Sequence, residues 1–443
     1  MRIQLSEHFT YPKLFRFVLP SVIMMIFTSI YGVVDGLFVS NFVGKTPFAA
    51  VNLIMPLLMG LGTIGFMIGT GGSALVAKTL GEKDHQRANQ YFSMLIRVTV
   101  IAGIVLTVLG LVTIRPVAAA FGATGQMLEN CVIYGSILLA FQVPFMLQIF
   151  FQSFFVTAEK PRLGLWMTVG AGVTNMVLDA LFVAAFQWGI AGAAVATGLS
   201  QMVGGVLPLL YFARKNTSLL RLTKSRIEFR ALLRVCANGS SELMTNLSSS
   251  VVNMLYNLQL IKLAGEDGVA AYGVLMYVNF IFIAIFIGYA IGSAPIVGYQ
   301  YGAANHPELK NMFRKSLMIT AVSGAVLTLL AELLAAPLAQ VFVGYDAALY
   351  EMTRHGFQLF ALSFLFCGFN IFSSAFFTAL NNGAVSAAIA FSRTLVFQIL
   401  SILVLPLLLG IDGIWLAIVM AELLALAVTL FFFLFKKKQY QYL

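Results

Sequence analysis

Charge is scarce in this sequence of 443 residues. Asp, Glu, Lys and Arg together make up 10% of the chain, and 60% of the residues are hydrophobic, whereas a soluble domain has about 25% charged and about 45–50% apolar residues. Apolar runs of 20 to 30 residues recur along the whole length, and about 20 residues are enough for a helix to cross ~30 Å of hydrocarbon. The composition excludes a soluble protein and predicts an all-α polytopic membrane protein.

Cysteine and histidine are also rare. The three cysteines, Cys131, Cys236 and Cys367, lie far apart in apolar runs, and only four histidines are present. This spacing indicates neither a disulfide framework nor a metal centre. HExxH and GxSxG motifs are absent, and the P-loop-like stretch that begins at Gly72 has Ala77 in place of its second glycine. Because the parts for hydrolytic, metal and ATP chemistry are missing, we expect neither an enzyme nor a cofactor.

Twelve membrane spans are predicted from the apolar runs. They cover residues 13–40, 47–78, 88–113, 129–157, 163–186, 190–213, 231–262, 270–302, 310–334, 351–379, 384–408 and 413–435. With the N-terminus inside, 21 Lys and Arg lie at cytoplasmic ends and only four lie at outer ends. This bias predicts a multi-pass protein of the plasma (bacterial inner) membrane with both termini in the cytoplasm. It also explains the net charge of +10 without a nucleic-acid partner.

The two halves of the chain repeat each other. Three short segments recur at offsets of 220 or 221: Gly72-Ser73-Ala74 as Gly292-Ser293-Ala294, Thr157-Ala158 as Thr378-Ala379, and Gly189-Ile190-x-Gly192 as Gly410-Ile411-x-Gly413. Each repeat has six crossings, so the second starts on the same side as the first, and a pseudo-two-fold axis along the membrane normal is expected. We predict an N-terminal six-helix bundle over residues 1–215, a cytoplasmic linker over 216–230 and a C-terminal six-helix bundle over 231–443, with substrate between the bundles.

Acidic residues inside the spans are the first candidates for function, since an ionisable group in hydrocarbon costs roughly 2.5–3.5 kcal/mol. Five are present, namely Asp35, Asp179, Glu242, Glu332 and Glu422. Asp35 follows Tyr31 by four residues, and Asp179 follows Asn175 by four, so each carboxylate shares a helix face with a polar neighbour. At an offset of 221, the second repeat has Val396 and Leu400 in place of the Asn–Asp pair. The pair is therefore predicted to serve a cation site of the first bundle only.

The remaining intramembrane residues leave alternatives open. Glu242 either faces a wet cytoplasmic vestibule or contacts an ion or substrate. Glu422 is interpreted mainly as a helix–helix hydrogen-bonding group, and Glu332 as an interfacial residue near the outer end of its span. Pro20 lies in the same span as Asp35, about four turns away, and a proline kinks its helix. A change of charge at Asp35 can therefore bias the bend, which makes Pro20 a candidate hinge.

Several motifs occur together in a characteristic order. They are Pro20 followed by Tyr31-x-x-x-Asp35, Gly44 followed by Ala49-Ala50-Val51, GSA followed by GEKDHQRA after the second span, Asn175-x-x-x-Asp179, and GIAGAAVATGLSQ. With these motifs and the duplication, essentially the whole chain resembles the multidrug and toxic compound extrusion (MATE) family, closest to its bacterial DinF-like branch. The resemblance implies two six-helix bundles that open alternately to either side. It also implies efflux of amphipathic organic cations driven by entry of H⁺ or Na⁺.

The resemblance further implies the residues of the sites. The first-bundle cation site would consist of Asp35, Asn175, Asp179 and Thr197, with Tyr31 beside it. If Na⁺ is the coupling ion, the two aspartates would hold it. Gln152 would be a further contact for ion or substrate. Other branches have a second cation site built from carboxylates of spans 7 and 10; Glu242 would supply the first of these, but span 10 has no internal Asp or Glu. A monomer surrounded by membrane lipid is expected.

Two other functions remain as alternatives. A flippase for lipid-linked precursors, from the same superfamily, would need several intramembrane arginines to hold a pyrophosphate, and the sequence offers only Arg97 and Arg393. A membrane-embedded aspartyl protease would use Asp35 and Asp179, but the Tyr-Asp and Gly-x-Gly-Asp settings of such enzymes are absent around them. Cleavage of a soluble peptide would distinguish the protease from a transporter.

Overall fold

A computed structural model describes residues 3–443, so that Met1 and the predicted cytoplasmic Arg2 lie outside the described residues. Within this range all regular secondary structure is helical. The helices are α1 (Tyr11–Phe38), α2 (Lys45–Gly81), α3 (His85–Ala120), α4 (Gly125–Ala140), α5 (Gln142–Thr157), α6 (Pro161–Asp179), α7 (Gly189–Ala213), α8 (Phe229–Gly302), α9 (His306–Val343), α10 (Ala347–Ala361), α11 (Phe364–Ala379), α12 (Gly383–Phe391), α13 (Phe397–Leu409) and α14 (Ile411–Tyr440). Three π-helical turns interrupt them, at Val39–Val43, Ala180–Ala185 and Ser392–Val396.

The helices make twelve spans, which confirms the predicted fold class. Nine helical segments within residues 3–443 are long and apolar enough to cross a membrane, and α4 with α5 and α10 with α11 form two further spans that bend by 59° and 48°. The twelfth crossing comes from α8, a helix of 74 residues that Gly265, at a φ of 62°, divides into two arms. The spans predicted as continuous over 129–157 and 351–379 are therefore bent. In the first of them Pro144 cannot donate to the carbonyl of Ala140, which weakens the helix at that point.

The two bundles meet at the end of the molecule that holds both chain termini. Glycines there allow backbone to touch backbone: a Cβ on Gly71 would lie 2.2 Å from the carbonyl oxygen of Val235, and a Cβ on Gly239 would lie 1.9 Å from that of Met67. Small residues at such contacts are typical of helix packing in membranes, where close van der Waals contact drives association. The cleft between the bundles is closed at this end.

A short N-terminal segment, residues 3–10, crosses this closed end. The amide of Leu5 donates to Oε1 of Glu159 at 2.8 Å, and Nε2 of Gln300 donates to the carbonyl oxygen of Leu5 at 2.7 Å. The amide of Phe9 donates to Oε1 of Glu308 at 3.0 Å. Glu159 belongs to the turn between α5 and α6, whereas Gln300 and Glu308 belong to α8 and α9. The segment is therefore bound to both bundles.

The basic connection between α7 and α8 lies along α3. The amide of Arg221 donates to Oδ1 of Asn89 at 2.6 Å, and the amide of Thr223 donates to Oγ of Ser93 at 2.8 Å. Arg97, which the sequence places inside a span, donates from Nη1 to the carbonyl oxygen of Ser225 at 2.6 Å. Arg97 is thus engaged by the connection between α7 and α8.

Candidate cation and substrate sites

Three helices bring the predicted cation-site residues together in the first bundle. Oγ1 of Thr197, on α7, donates to Oδ1 of Asp35, on α1, at 3.4 Å, and Nδ2 of Asn175, on α6, donates to the Thr197 oxygen at 3.5 Å. Asp35 is 8% exposed and Asn175 is 1% exposed. Residues that are up to 162 positions apart in sequence therefore form one chain of hydrogen bonds in a largely buried position.

Asp179 completes the group. It is the last residue of α6, it is followed by the π-helical turn Ala180–Ala185, and it is fully buried. It lies close enough to Asp35 for the two carboxyl groups to act on each other electrostatically, and neither oxygen of Asp179 has a hydrogen-bond partner in residues 3–443. A buried carboxylate without a donor is costly, and two neighbouring carboxylates repel each other when both are ionised. The pair is chemically suited to a proton or to a small cation.

Tyr31 lies one turn before Asp35 and faces the same site. Its hydroxyl interacts with the side chain of Gln148, on α5, and its ring centroid is 6.0 Å from that of Phe27. Gly172 of α6 permits this approach, because a Cβ there would lie 2.4 Å from Cε1 of Phe27 and 3.0 Å from Cδ1 of Tyr31. The structure therefore places Tyr31 next to Asp35, and its role at the site stays a prediction.

Gln152 is not part of this hydrogen-bonded group within the described chain. It is buried, and its Oε1 has no hydrogen-bond partner in residues 3–443. Two neighbours of the site were not predicted from the sequence. Gln148 lies next to Tyr31, and Tyr134 is a buried tyrosine on which both aspartates act electrostatically. The signal for Gln148 was its spacing of four residues from Gln152, which places both amides on one face of α5.

Val396 and Leu400 are the predicted counterparts of Asn175 and Asp179 in the second repeat. These two side chains are 37% and 51% exposed on the outside of the second bundle, whereas Gln398 is 7% exposed and Ser401 is 4% exposed. The second copy has its π-helical turn before Gln398, and the first copy has its own after Asp179, so the register between the copies shifts over this span. A shift of one residue places the buried Ser401 opposite Asp179, and the buried Gln398 lies three residues before it; neither is acidic.

A cavity of about 370 Å³ lies in the second bundle and reaches α2 of the first. Arg393, in the π-helical turn Ser392–Val396, donates from Nε to both carboxylate oxygens of Glu422, at 2.8 and 3.0 Å. Nδ2 of Asn370 donates to Oε2 of Glu422 at 2.7 Å, and Oγ1 of Thr429 donates to Oδ1 of Asn370 at 2.9 Å. Glu422 therefore links α14 to two other helical segments, and it also lines the cavity together with Arg393.

Glu242 lines the same cavity from the first arm of α8. Arg393 is close enough to act on Glu242 electrostatically. No side chain in residues 3–443 donates a hydrogen bond to the Glu242 carboxylate. Tyr256 and Tyr272 stack nearby with ring centroids 4.9 Å apart, and both line the cavity. The structure thus places Glu242 in a substrate-sized chamber that is separate from the hydrogen-bonded group around Asp35.

Pro20 occupies a contact between the bundles. It lies inside α1, and the adjacent backbone of Ser21 and Val22 approaches Gly288 of α8 so closely that a Cβ there would be 2.5 Å from Cα of Val22. A change in the bend of α1 would therefore be transmitted to α8. As for metal centres, residues 3–443 contain no group of three or more His, Cys, Asp or Glu side chains that could hold one.

Comparison with known proteins gives consistent matches over nearly the whole chain. A family model described as MatE matches residues 20–181 and again residues 243–404. Multidrug export protein MepA of Staphylococcus saprophyticus is 23% identical over 426 residues, which covers 96% of this chain and 93% of that protein. MepA of Staphylococcus haemolyticus is 23% identical over 434 residues, which covers 96% of this chain and 94% of that protein. A solved structure described as the outward-facing conformation of a multidrug resistance MATE family transporter of the MOP superfamily has a TM-score of 0.91 at 23% identity, with 97% and 96% covered.

Proposed function

Because two matches to the MatE model cover residues 20–181 and 243–404, the chain belongs to this family of membrane transporters, and we propose that it is a multidrug efflux antiporter. It exports amphipathic organic cations in exchange for H⁺ or Na⁺. The observation that carries the proposal is the burial of two neighbouring carboxyl groups, those of Asp35 and Asp179, of which the second has no hydrogen-bond partner in the described chain. The multidrug export proteins to which the chain is similar support the same function.

The coupling follows from the position of the pair. A cation that enters from outside neutralises Asp35 and Asp179, and its binding energy selects one packing of the first bundle; its release to the cytoplasm allows the other packing. Such coupling requires that the cation and the exported compound bind the two states unequally. Pro20 is the proposed hinge, because it lies on the same helix as Asp35 and beside the contact with α8.

The orientation is also a proposal. The excess of Lys and Arg at one set of span ends favours both termini in the cytoplasm of a cell with this protein in its plasma membrane. The closed end of the cleft, with its glycine contacts and the segment of residues 3–10, is then the cytoplasmic end. The structure accordingly corresponds to an outward-facing state in this proposal.

The geometry does not favour either alternative. Arg97 is bound to the connection between α7 and α8, and Arg393 is bound to Glu422, so the two arginines do not form a common site for a pyrophosphate. Asp179 is fully buried, which leaves no space for a peptide at the aspartate pair. Both features are more compatible with an ion-binding role for the pair.

Transport by the purified protein in liposomes tests the proposal. A pH gradient and a Na⁺ gradient are imposed separately, and export of a fluorescent organic cation, rhodamine 123, is followed in wild type, Asp35→Asn and Asp179→Asn. Both variants should lose gradient-driven export while folding normally. Glu332→Gln is the matched control, since it removes a carboxylate that lies on α9 away from the pair. Full export by either aspartate variant would contradict the assignment of the coupling site.

A further inference from the structure

The charged residues of the second-bundle cavity are not used by the proposed coupling at Asp35 and Asp179. The cavity is lined by two carboxylates, Glu242 and Glu422, and by the guanidinium of Arg393. The Arg393 and Glu422 side chains are 13% and 2% exposed. Ionised groups buried to this extent are expensive in a membrane protein and are usually functional. Their arrangement indicates which compound the cavity can accept.

Arg393 offers unused hydrogen-bond donors to the cavity. Its Nε is occupied by Glu422, but its two terminal nitrogens make no hydrogen bond with another residue in 3–443, and the side chain lines the cavity. Glu422 also receives a hydrogen bond from Asn370, so both of its oxygens are engaged. The free edge of a guanidinium matches the two oxygens of a carboxylate. The Arg393 edge of the cavity is therefore complementary to an anionic group.

Glu242 provides the opposite charge. No donor in residues 3–443 is hydrogen-bonded to its carboxylate, and Arg393 acts on it only electrostatically. A second acceptor faces the same space: Asn279 is 8% exposed, lines the cavity, and its Oδ1 has no hydrogen-bond partner in the described residues. Two acceptors that face the cavity without donors are complementary to the N–H groups of a cationic ligand.

The remaining walls are apolar. Met276, Phe280 and Ile283 line the cavity from the second arm of α8, and the Tyr256–Tyr272 stack adds an aromatic wall. Aromatic and methionine side chains accept flat, polarizable molecules, and the volume of about 370 Å³ is within the usual range for small-molecule sites, about 300–1,000 Å³. The space fits an aromatic compound of drug size.

We propose that this cavity is a binding site for amphipathic zwitterions. The carboxylate of the compound binds the terminal nitrogens of Arg393, its cationic nitrogen lies near Glu242, and its aromatic body packs against the Tyr256–Tyr272 wall. The inference rests on the proposed export function, because it names a class of compound that the transporter accepts. It differs from that function in placing the contact in the second bundle, with residues that take no part in cation coupling.

A matched pair of dyes tests the proposal. Rhodamine 110 is a zwitterion with a free carboxylate, and rhodamine 123 is its methyl ester, which retains the cationic ring system. Binding of each dye to the purified protein in nanodiscs is measured by fluorescence anisotropy without any ion gradient. Arg393→Gln should weaken rhodamine 110 binding by about 10- to 100-fold, the usual effect of removing hydrogen bonds to a charged group, and should change rhodamine 123 binding by less than about 3-fold. Glu242→Gln should weaken both dyes.

Two further variants keep the test decisive. Arg393→Gln leaves Glu422 buried without its cation, which is destabilising, so Arg393→Gln combined with Glu422→Gln repeats the measurement with a neutral pair. Arg234→Gln, at an exposed arginine of α8, should leave both dyes unaffected. Equal loss of both dyes in the neutral-pair variant, or no loss of rhodamine 110, would overturn the proposal. Dye binding is measured without a gradient and export with one, so loss of gradient-driven export in Asp35→Asn and loss of rhodamine 110 binding in the neutral-pair variant are separate results.

Discussion

The contact between the two bundles should control which side of the membrane the cleft faces. A Cβ on Gly81 would lie 2.0 Å from the carbonyl oxygen of Tyr299, and a Cβ on Gly302 would lie 2.0 Å from the carbonyl oxygen of Lys78. Both obstacles are backbone atoms, which cannot move aside as a flexible side chain can. Gly81→Ala and Gly302→Ala should therefore separate the bundles at this end, and they should have little effect in a state in which the bundles are already apart there.

The change in the ratio of closed to open molecules follows from the energy that each substitution costs in the closed state. Overpacking a close contact costs about 1–3 kcal/mol, and here the cost falls on the closed state alone. An energy difference of that size changes the ratio of closed to open molecules by roughly 5- to 150-fold. We expect a population that is open at the terminal end to become readily detectable in either variant.

Distance measurement between spin labels would detect the change. In a background without the three native cysteines, labels are attached at Arg162 and Arg314, which are exposed on α6 and α9 at the terminal end of the two bundles. Double electron–electron resonance should show a new population at longer distance in both variants. Gly170→Ala is the matched control, because a Cβ there meets nothing within 4 Å. Distance distributions identical to the control would refute the role of these glycines in closing the cleft.

Two further predictions concern the cation site and the N-terminal segment. Thr197→Val removes the hydroxyl between Asn175 and Asp35 and should raise the cation concentration for half-maximal transport by about 2- to 10-fold, the effect of one neutral hydrogen bond. Thr174→Val is the control, because the Thr174 hydroxyl donates to the carbonyl oxygen of Gly170 within α6. Equal effects of the two substitutions would contradict this prediction. The Lys13 side chain and the amide of Gln4 hold the pKa of Glu7 below its usual value. The stabilisation that Glu7 provides is therefore complete above its unfolded-state pKa. It is lost only as the pH falls through the lower folded-state pKa. Hydrogen exchange of the backbone amides of residues 3–10, corrected for intrinsic rates, should then be the same at pH 7 and pH 5.5. Faster corrected exchange at pH 5.5 would show that Glu7 does not hold the segment in this way.

The number of crossings could be predicted from the sequence alone, and so could the choice of the aspartates as candidate site residues. Hydropathy adds up along a chain segment, so apolar runs predict spans whatever surrounds them, and the cost of a carboxylate in hydrocarbon marks Asp35 and Asp179 without knowledge of their neighbours. The spacing of each from its polar neighbour was also readable, because four residues return a helix to the same face. The sequence did not reveal that Asp179 has no donor in the described chain, since this depends on every helix packed around it.

Only the tertiary structure decided how distant side chains pair. Arg393 and Glu422 are separated by 29 residues, and their contact depends on the rotation of two helices about their axes. A single π-helical turn adds one residue and rotates everything after it by about 100°. This one-residue shift moves the counterpart of Asp179 from the exposed Leu400 to the buried Ser401. Sequence offsets count residues, whereas burial depends on angle around the helix, and the two agree only where the helix is regular.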